Sequence, residues 1–255
     1  MIGSPEHWYV DWKFWSAFLS LTAIALSQLP PIKLWFRRKR IEVEVPSRIL
    51  ISHPVGNPNV TMAISLRNTG GRALFVRSIE IKLTRDGTDL GSFRAQNYFE
   101  TPSSQTTALM VPFSMKPDDI WLHGTNFLNF FDRATEKHYR AIESAMREDI
   151  QKEFDAKALE DKKLVEAEPA LVEPFLQLFN KLFIWESGEY VMDLHVNTEP
   201  GSATFSKKYR FTLYESDTAE LRKYTEDYKH GGRITWTPTN KPIGVTIPLI
   251  DYENA

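Results

Sequence analysis

Apolar and polar positions alternate with a period of two over much of the chain after residue 40. The clearest alternation occupies Val60–Leu66 and Tyr190–Val196. Because successive side chains of a strand point to opposite faces, each run predicts a half-buried strand. Turn residues separate such runs at Asn68–Gly71, Asp86–Gly87 and Pro200–Gly201. Roughly seven or eight strands result, with no alternating βαβ rhythm, and this favours an antiparallel β-sandwich.

One predicted strand changes phase along its length. Leu74 and Val76 share one face, whereas Ile79, Ile81 and Leu83 continue in the opposite phase. A slip of one residue is typical of a β-bulge, which we therefore predict near Arg77-Ser78.

The strand pattern is interrupted over residues 114–188, which we predict to be a helical insertion in the sandwich. Asp118 and Asp119 are expected to open the first helix. The segment 133–164 is rich in Ala, Glu, Lys and Arg, and a second helix is predicted at 169–183. A narrow apolar stripe follows i, i+4 spacing: Ile142, Met146, Ile150 and Phe154. Because most of this helix would face water, we expect the stripe to bind a partner protein or a second copy; a solvated hairpin without a partner is the alternative.

Two short stretches resemble immunoglobulin-like domains. Ser187–Tyr190, at the start of a strand, resembles the tyrosine-corner region of such domains. Ile64–Gly70 is similar to strand–turn segments of bacterial immunoglobulin-like modules. The resemblance lacks the Cys–Trp–Cys core; it implies a sandwich and carries no function. The expected fold is mainly β: an N-terminal transmembrane helix plus an immunoglobulin-like antiparallel β-sandwich over 41–255 that carries the helical insertion.

The transmembrane helix is predicted over residues 14–36. Phe14–Leu29 is apolar or small except for Gln28, and the apolar character continues beyond Pro30-Pro31 to Phe36. About 20 mostly apolar residues suffice to span a bilayer. A cleaved signal peptide would carry its positive charge before the apolar run, and a buried helix of a globular protein is the other alternative.

A basic cluster follows this run and predicts its orientation. The cluster consists of Arg37, Arg38, Lys39 and Arg40. On the other side, Lys13 is accompanied by Glu6 and Asp11. The positive-inside rule therefore places residues 1–13 outside and the β domain in the cytoplasm, as in a single-pass protein of the bacterial inner membrane. Residues 37–40 act as the stop signal and are expected to contact anionic lipid headgroups.

Small residues form a stripe along the predicted membrane helix. The stripe consists of Ser16, Ser20, Ala23 and Ser27. Small residues allow helices to approach closely in lipid, so the stripe suggests self-association or pairing with another membrane protein. Small residues without a packing role are the alternative.

Composition and motifs narrow the chemistry. The 255 residues include 31 Lys and Arg against 33 Asp and Glu, for a net charge of −2, and no cysteine. A chain without a basic surplus is a poor candidate for general nucleic-acid binding, and the absence of cysteine excludes disulfides and thiolate chemistry. The six histidines form no His-Glu-x-x-His motif, and no phosphate-binding glycine loop is present. We therefore expect no cofactor, no metal and no catalytic residues.

These observations favour a non-enzymatic, membrane-anchored protein whose cytoplasmic domain binds a partner as an adaptor, scaffold or sensor. Membrane residence raises the effective concentration of any membrane-bound partner. One alternative is an oligomerising effector that perturbs the membrane. Another is an enzyme with an unrecognised active site, which would require a concave pocket lined by several titratable groups.

Overall fold

The computed structural model describes residues 12–28, 37–101, 103–104, 106–156, 165–237 and 242–254. Within these ranges the chain forms a mainly antiparallel sheet of twelve strands, accompanied by helices. The strands are β1 (Ile41–Glu44), β2 (Arg48–Ser52), β3 (Asn59–Asn68), β4 (Leu74–Arg85), β5 (Thr88–Phe99), β6 (Thr107–Leu109), β7 (Phe113–Met115), β8 (Ile120–Leu128), β9 (Gly188–Glu199), β10 (Phe205–Leu213), β11 (Gly244–Pro248) and β12 (Ile250–Asp251). The α-helices are α1 (Trp12–Gln28), α2 (Arg133–Ala156), α3 (Pro169–Leu182) and α4 (Glu215–Lys223). Short 3-10 helices occupy Gly201–Ala203, Tyr224–His230 and Tyr252–Asn254.

The sheet is nearly closed on itself. Its strand order is β11-β2-β3-β8-β5-β4-β9-β10-β12, and β1 pairs with the second half of β3. The two outermost strands are consecutive in the chain, separated only by Leu249. The C-terminal segment therefore pairs with β2 at one end of the sheet and with β10 at the other.

The inner face of the sheet forms the main hydrophobic core. Alternate residues of β3, β4 and β9 are buried, as their period of two predicts. Trp185 is fully buried, and its indole N–H donates to the carbonyl of Ser52 at 3.0 Å. A buried indole N–H requires such a partner, so this bond fixes the loop before β9 on the end of β2.

Two local predictions are confirmed. The register between β4 and β9 shifts between Val76 and Ser78, where the bulge was expected. Asp86 and Gly87 both have positive φ, +48° and +83°, as a tight hairpin turn between β4 and β5 requires. Gly231 adopts the left-handed conformation directly after the 3-10 helix Tyr224–His230, as a glycine at a helix C-terminus commonly does.

The predicted start of the helical insertion is wrong. Asp118 has φ +65° in a turn, so it does not cap a helix, and residues 120–128 form β8 in the middle of the sheet. The helical segment begins only after Leu128. Alternation failed as a signal here because both faces of β8 carry apolar residues: Ile120 and Leu122 are exposed, whereas Phe127 is in the core.

Helices α2 and α3, with the segments that connect to them, form a second hydrophobic cluster. Its buried members are Val55, Met146, Ala167, Phe175, Phe179 and Tyr228, contributed by α2, α3 and the connecting segments. Met146 is fully buried, and Ile142 and Ile150 pack against this cluster, whereas Phe154 is 39% exposed. Most of the stripe predicted on α2 therefore contacts its own chain rather than facing outwards. Its role in binding a partner stays a prediction.

A buried histidine connects the sheet to the helices. His53 follows β2, is 4% exposed, and contacts the rings of Phe179, Phe183 and Tyr224. Its Nδ1 accepts the backbone N–H of Gly56 at 3.0 Å, so Nε2 carries the proton and donates to the carbonyl of Leu221 at 3.0 Å. The pKa of His53 is lowered to about 4, mainly by burial and also by the nearby charge of Arg233, against the raising effect of the bond to Leu221.

Stability is therefore expected to fall as the pH drops from neutral. Unfolded His53 binds a proton near its ordinary pKa of 6.5, whereas folded His53 does so only near pH 4. The unfolded state gains protons first, so the loss begins near pH 6.5 and ends below pH 4. Between pH 8 and 5 the loss amounts to about 2 kcal/mol. Urea denaturation of the wild type and of His53→Gln checks this.

The difference in the free energy of unfolding between the wild type and His53→Gln should shrink as the pH falls. Exposed His138 provides the matched control, because His138→Gln removes a histidine without changing the buried site. If His53→Gln and His138→Gln show the same pH dependence as the wild type, the buried histidine does not control acid stability.

Candidate functional site

Helix α1 exposes apolar side chains around its circumference. Trp12 is 80% exposed, Leu21 is 69% exposed and Ile24 is 62% exposed. The large apolar side chains that are at least 38% exposed on this helix are Trp12, Phe14, Trp15, Phe18, Leu19, Leu21, Ile24 and Leu26. A surface of this kind marks a membrane or protein contact.

The hydroxyl groups of α1 bond to the helix itself. Ser20 donates to the carbonyl of Ser16 at 2.8 Å, and Thr22 donates to the carbonyl of Phe18 at 2.8 Å. Ser16 and Ser27 make equivalent bonds to carbonyls three residues earlier. The predicted stripe of Ser16, Ser20, Ala23 and Ser27 is exposed along the helix. Because these bonds need no external partner, the hydroxyls are compatible with an apolar environment.

The predicted membrane span is only partly covered by the structure. Residues 1–11 and 29–36 lie outside the described residues, so α1 accounts for the first part of the span predicted at 14–36. Within the described ranges, no helix combines the length and the apolar character needed to cross a membrane.

The basic cluster packs against two turns of the β domain. Arg37 forms an ion pair with Asp118 at 2.9 Å, and the carbonyl of Arg40 accepts the N–H of Thr69 at 3.1 Å. A Cβ on Gly70 would lie 2.9 Å from the carbonyl oxygen of Arg38, so the segment approaches this turn closely. Arg38 and Arg40 are exposed. The end of the domain that carries these turns therefore lies next to the chain that leads to α1.

An exposed apolar surface begins at this end of the domain, on the outer face of the sheet. We call it the outer patch, and it consists of Ala63, Phe99, Leu109, Ile120 and Leu122. Ile120, Leu122 and Leu109 are 64%, 60% and 70% exposed. In the sheet register, Ala63 and Phe99 flank Gly124 from either side. The ring of Phe99 lies over Gly124, since a Cβ there would be 3.5 Å from Phe99 Cδ2.

Side chains of the outer patch enclose a shallow cavity of about 340 Å³. Its lining is Ala63, Phe99, Glu100, Thr101, Leu122, His123 and Gly124. Further along the sheet the surface becomes polar, where Thr61 donates to Asn126 Oδ1 at 2.5 Å and Asn126 donates to Asn97 Oδ1 at 2.6 Å. On β3, β5 and β8 this polar row bounds the outer patch on the side away from the basic cluster, whereas Leu109 lies beside Asn97 on β6.

The structure places the basic cluster and the outer patch at the same end of the domain. The sequence did not lead us to predict the outer patch. A signal was present: Ile120 and Leu122 are apolar at positions two apart in a segment with other apolar residues in the opposite phase. Such a strand is apolar on both faces. Among the described residues, no group of three His, Asp or Glu side chains is arranged to hold a metal ion.

Comparisons with known proteins add little. No family model matches the sequence, and no curated protein matches it. A crystal structure of a protein from Archaeoglobus fulgidus is similar over 69% of this chain and 97% of that chain, at 8% identity and a TM-score of 0.26. A TM-score this low carries no argument about fold or function.

Proposed function

We propose that the chain is a single-pass membrane-anchored protein of the inner membrane, whose cytoplasmic β domain binds a protein partner as an adaptor, scaffold or sensor. The observation that carries the proposal is α1, a helix with exposed apolar side chains and hydroxyls bonded to its own backbone. Exposing these apolar side chains to water costs free energy, whereas placing them in the apolar interior of a bilayer does not. The apolar run in the sequence continues to Phe36 and is therefore longer than α1.

The order of charges supports the proposed orientation. The basic cluster directly follows the apolar segment and directly precedes β1. Lys and Arg next to a membrane helix are retained on the cytoplasmic side. The β domain, whose turns contact this cluster, would then be cytoplasmic as well.

One contact supports an immunoglobulin-like sandwich as the finer description of the fold. The hydroxyl of Tyr190 in β9 lies 2.7 Å from the carbonyl of Glu186 and donates to it. A tyrosine hydroxyl that bonds back to the backbone a few residues upstream is the hallmark of a tyrosine corner. Burial raises the pKa of Tyr190 to about 12, so this hydroxyl keeps its proton at neutral pH.

Membrane anchoring is tested with the full chain expressed in bacterial cells. We expect the protein to stay in the membrane fraction after alkaline carbonate extraction, and the β domain to resist protease added to spheroplasts. Leu21→Arg combined with Ile24→Arg should release it, because each arginine at the helix centre costs about 2.5–3.5 kcal/mol of insertion. Trp12→Arg is the matched control: it lies at the helix end, where an arginine reaches the headgroups, and should leave the protein anchored.

The outcomes separate the alternatives. Wild-type protein in the carbonate supernatant contradicts the anchor, and digestion of the β domain from outside reverses the orientation. Depolarisation of expressing cells would instead favour the oligomerising effector, for which the exposed stripe Ser16, Ser20, Ala23 and Ser27 offers a packing surface.

A further inference from the structure

We infer that the outer patch lies on the anionic lipid surface of the membrane that holds α1, so that the β domain rests against the headgroups. This inference rests on the proposed membrane anchoring. It adds a second lipid contact, on the sheet, to the one made by the helix.

The outer patch begins close to the basic cluster. Ile120 directly follows the turn that contains Asp118, the partner of Arg37. In the sheet, Glu42, Arg67 and Ile120 are neighbours on three adjacent strands. With strands about 4.8 Å apart, Ile120 lies about 10 Å from Glu42, two residues after the basic cluster. Ile120 therefore lies at the same end of the domain as the basic cluster, which we expect to contact the headgroups.

Apolar and basic side chains occur together at this end of the domain. Exposed Ile120 and Leu122 supply apolar contact. The basic side chains at this end are Arg37, Arg38, Lys39, Arg40, Arg67, Arg72 and Lys116, and the carboxylates are Glu42, Glu44, Glu100, Asp118 and Asp119. Arg37 pairs with Asp118, so six basic and four acidic side chains remain, and the net charge of this set is positive. Apolar residues surrounded by a modest basic excess suit an interfacial contact, in which insertion dominates and anionic lipid adds to it.

The position of the outer patch disfavours a protein as its occupant. A partner protein or a second copy that covers the outer patch would have to enter the space between the domain and the bilayer at the point where the chain leaves α1. In the proposed anchored orientation, the bilayer lies on that side. On β3, β5 and β8 the polar row of Thr61, Asn97 and Asn126 ends the apolar surface, and only Leu109 on β6 lies beside this row.

The absence of cysteine in the chain permits a direct test. A single cysteine at Leu122 or at Thr88 carries an environment-sensitive fluorophore in the full chain, reconstituted into nanodiscs that contain anionic lipid and a headgroup nitroxide quencher. Thr88 is exposed at the hairpin turn between β4 and β5. Since β4 is 12 residues long, this turn lies roughly 35 Å from the basic end of the domain.

We expect the quencher to reduce the emission of the Leu122→Cys label by about half or more, because interfacial side chains enter the headgroup layer by about 5–10 Å. The Thr88→Cys label should lose less than about a tenth, since it lies beyond that layer. Ile120→Glu should abolish the quenching at position 122. The matched control is Thr246→Glu on β11, also exposed, which should leave it unchanged.

Each result decides one point. If the protein enters the nanodiscs but the label at position 122 is no more quenched than at position 88, the outer patch does not touch lipid and the anchor still stands. If the label is shielded from water but not quenched and the protein doubles in mass, a second copy covers the patch. Protein that does not enter the discs contradicts the anchor itself.

Discussion

Gly56→Ala is expected to destabilise the protein by about 2–5 kcal/mol. Gly56 has φ +82°, where an L-residue is strained by about 1–2 kcal/mol. Its added Cβ would also lie 2.7 Å from both the Cα and the carbonyl oxygen of Phe179 in α3. Backbone atoms cannot rotate away, so the helix must shift, and overpacking of this kind costs about 1–3 kcal/mol more. Urea denaturation followed by tryptophan fluorescence measures the change.

Gly87→Ala separates strain from collision. Gly87 has nearly the same φ, +83°, but a Cβ there meets no atom within 4 Å. We therefore expect a loss of only about 1–2 kcal/mol, due to the backbone strain alone. Equal losses in the two variants would mean that α3 does not pack against the loop after β2 as described.

Met146→Ala is expected to cost about 3 kcal/mol, the second largest effect. Met146 is fully buried where α2 meets α3 and the 3-10 helix Tyr224–His230, and removing a buried large side chain leaves a cavity that costs about 2–5 kcal/mol. Phe154→Ala, on the same stripe but 39% exposed, should cost about 1 kcal/mol or less. The same denaturation experiment compares them. A larger loss for Phe154→Ala would contradict this placement of α2.

The sequence predicted the sheet well wherever one face of a strand is buried and the other is wet. Val60–Leu66 in β3 and Tyr190–Val196 in β9 alternate without interruption, and the bulge after Val76 is visible as a single change of phase. These features are local, so a short window of sequence contains them. The mainly antiparallel β architecture follows from them.

The missed features depend on contacts between distant residues. Apolar residues occupy both faces of β8, and this local pattern does not distinguish a strand with two apolar faces from the start of a helix. Periodicity indicated an apolar stripe on α2, but it does not state whether the stripe contacts the same chain or another. His53 occupies a turn that looks ordinary in sequence, and its burial results from α3 and α4, which lie more than 100 residues later.

The closure of the sheet has a consequence for assembly. Strands β11 and β12 cover the edges of β2 and β10, which would otherwise both present unpaired backbone groups. Exposed sheet edges are templates for pairing with another molecule. Residues 244–251 thus cover two sheet edges of the same chain. A chain in which these residues are undocked would have two open edges, so we expect it to be more prone to aggregation than the folded protein.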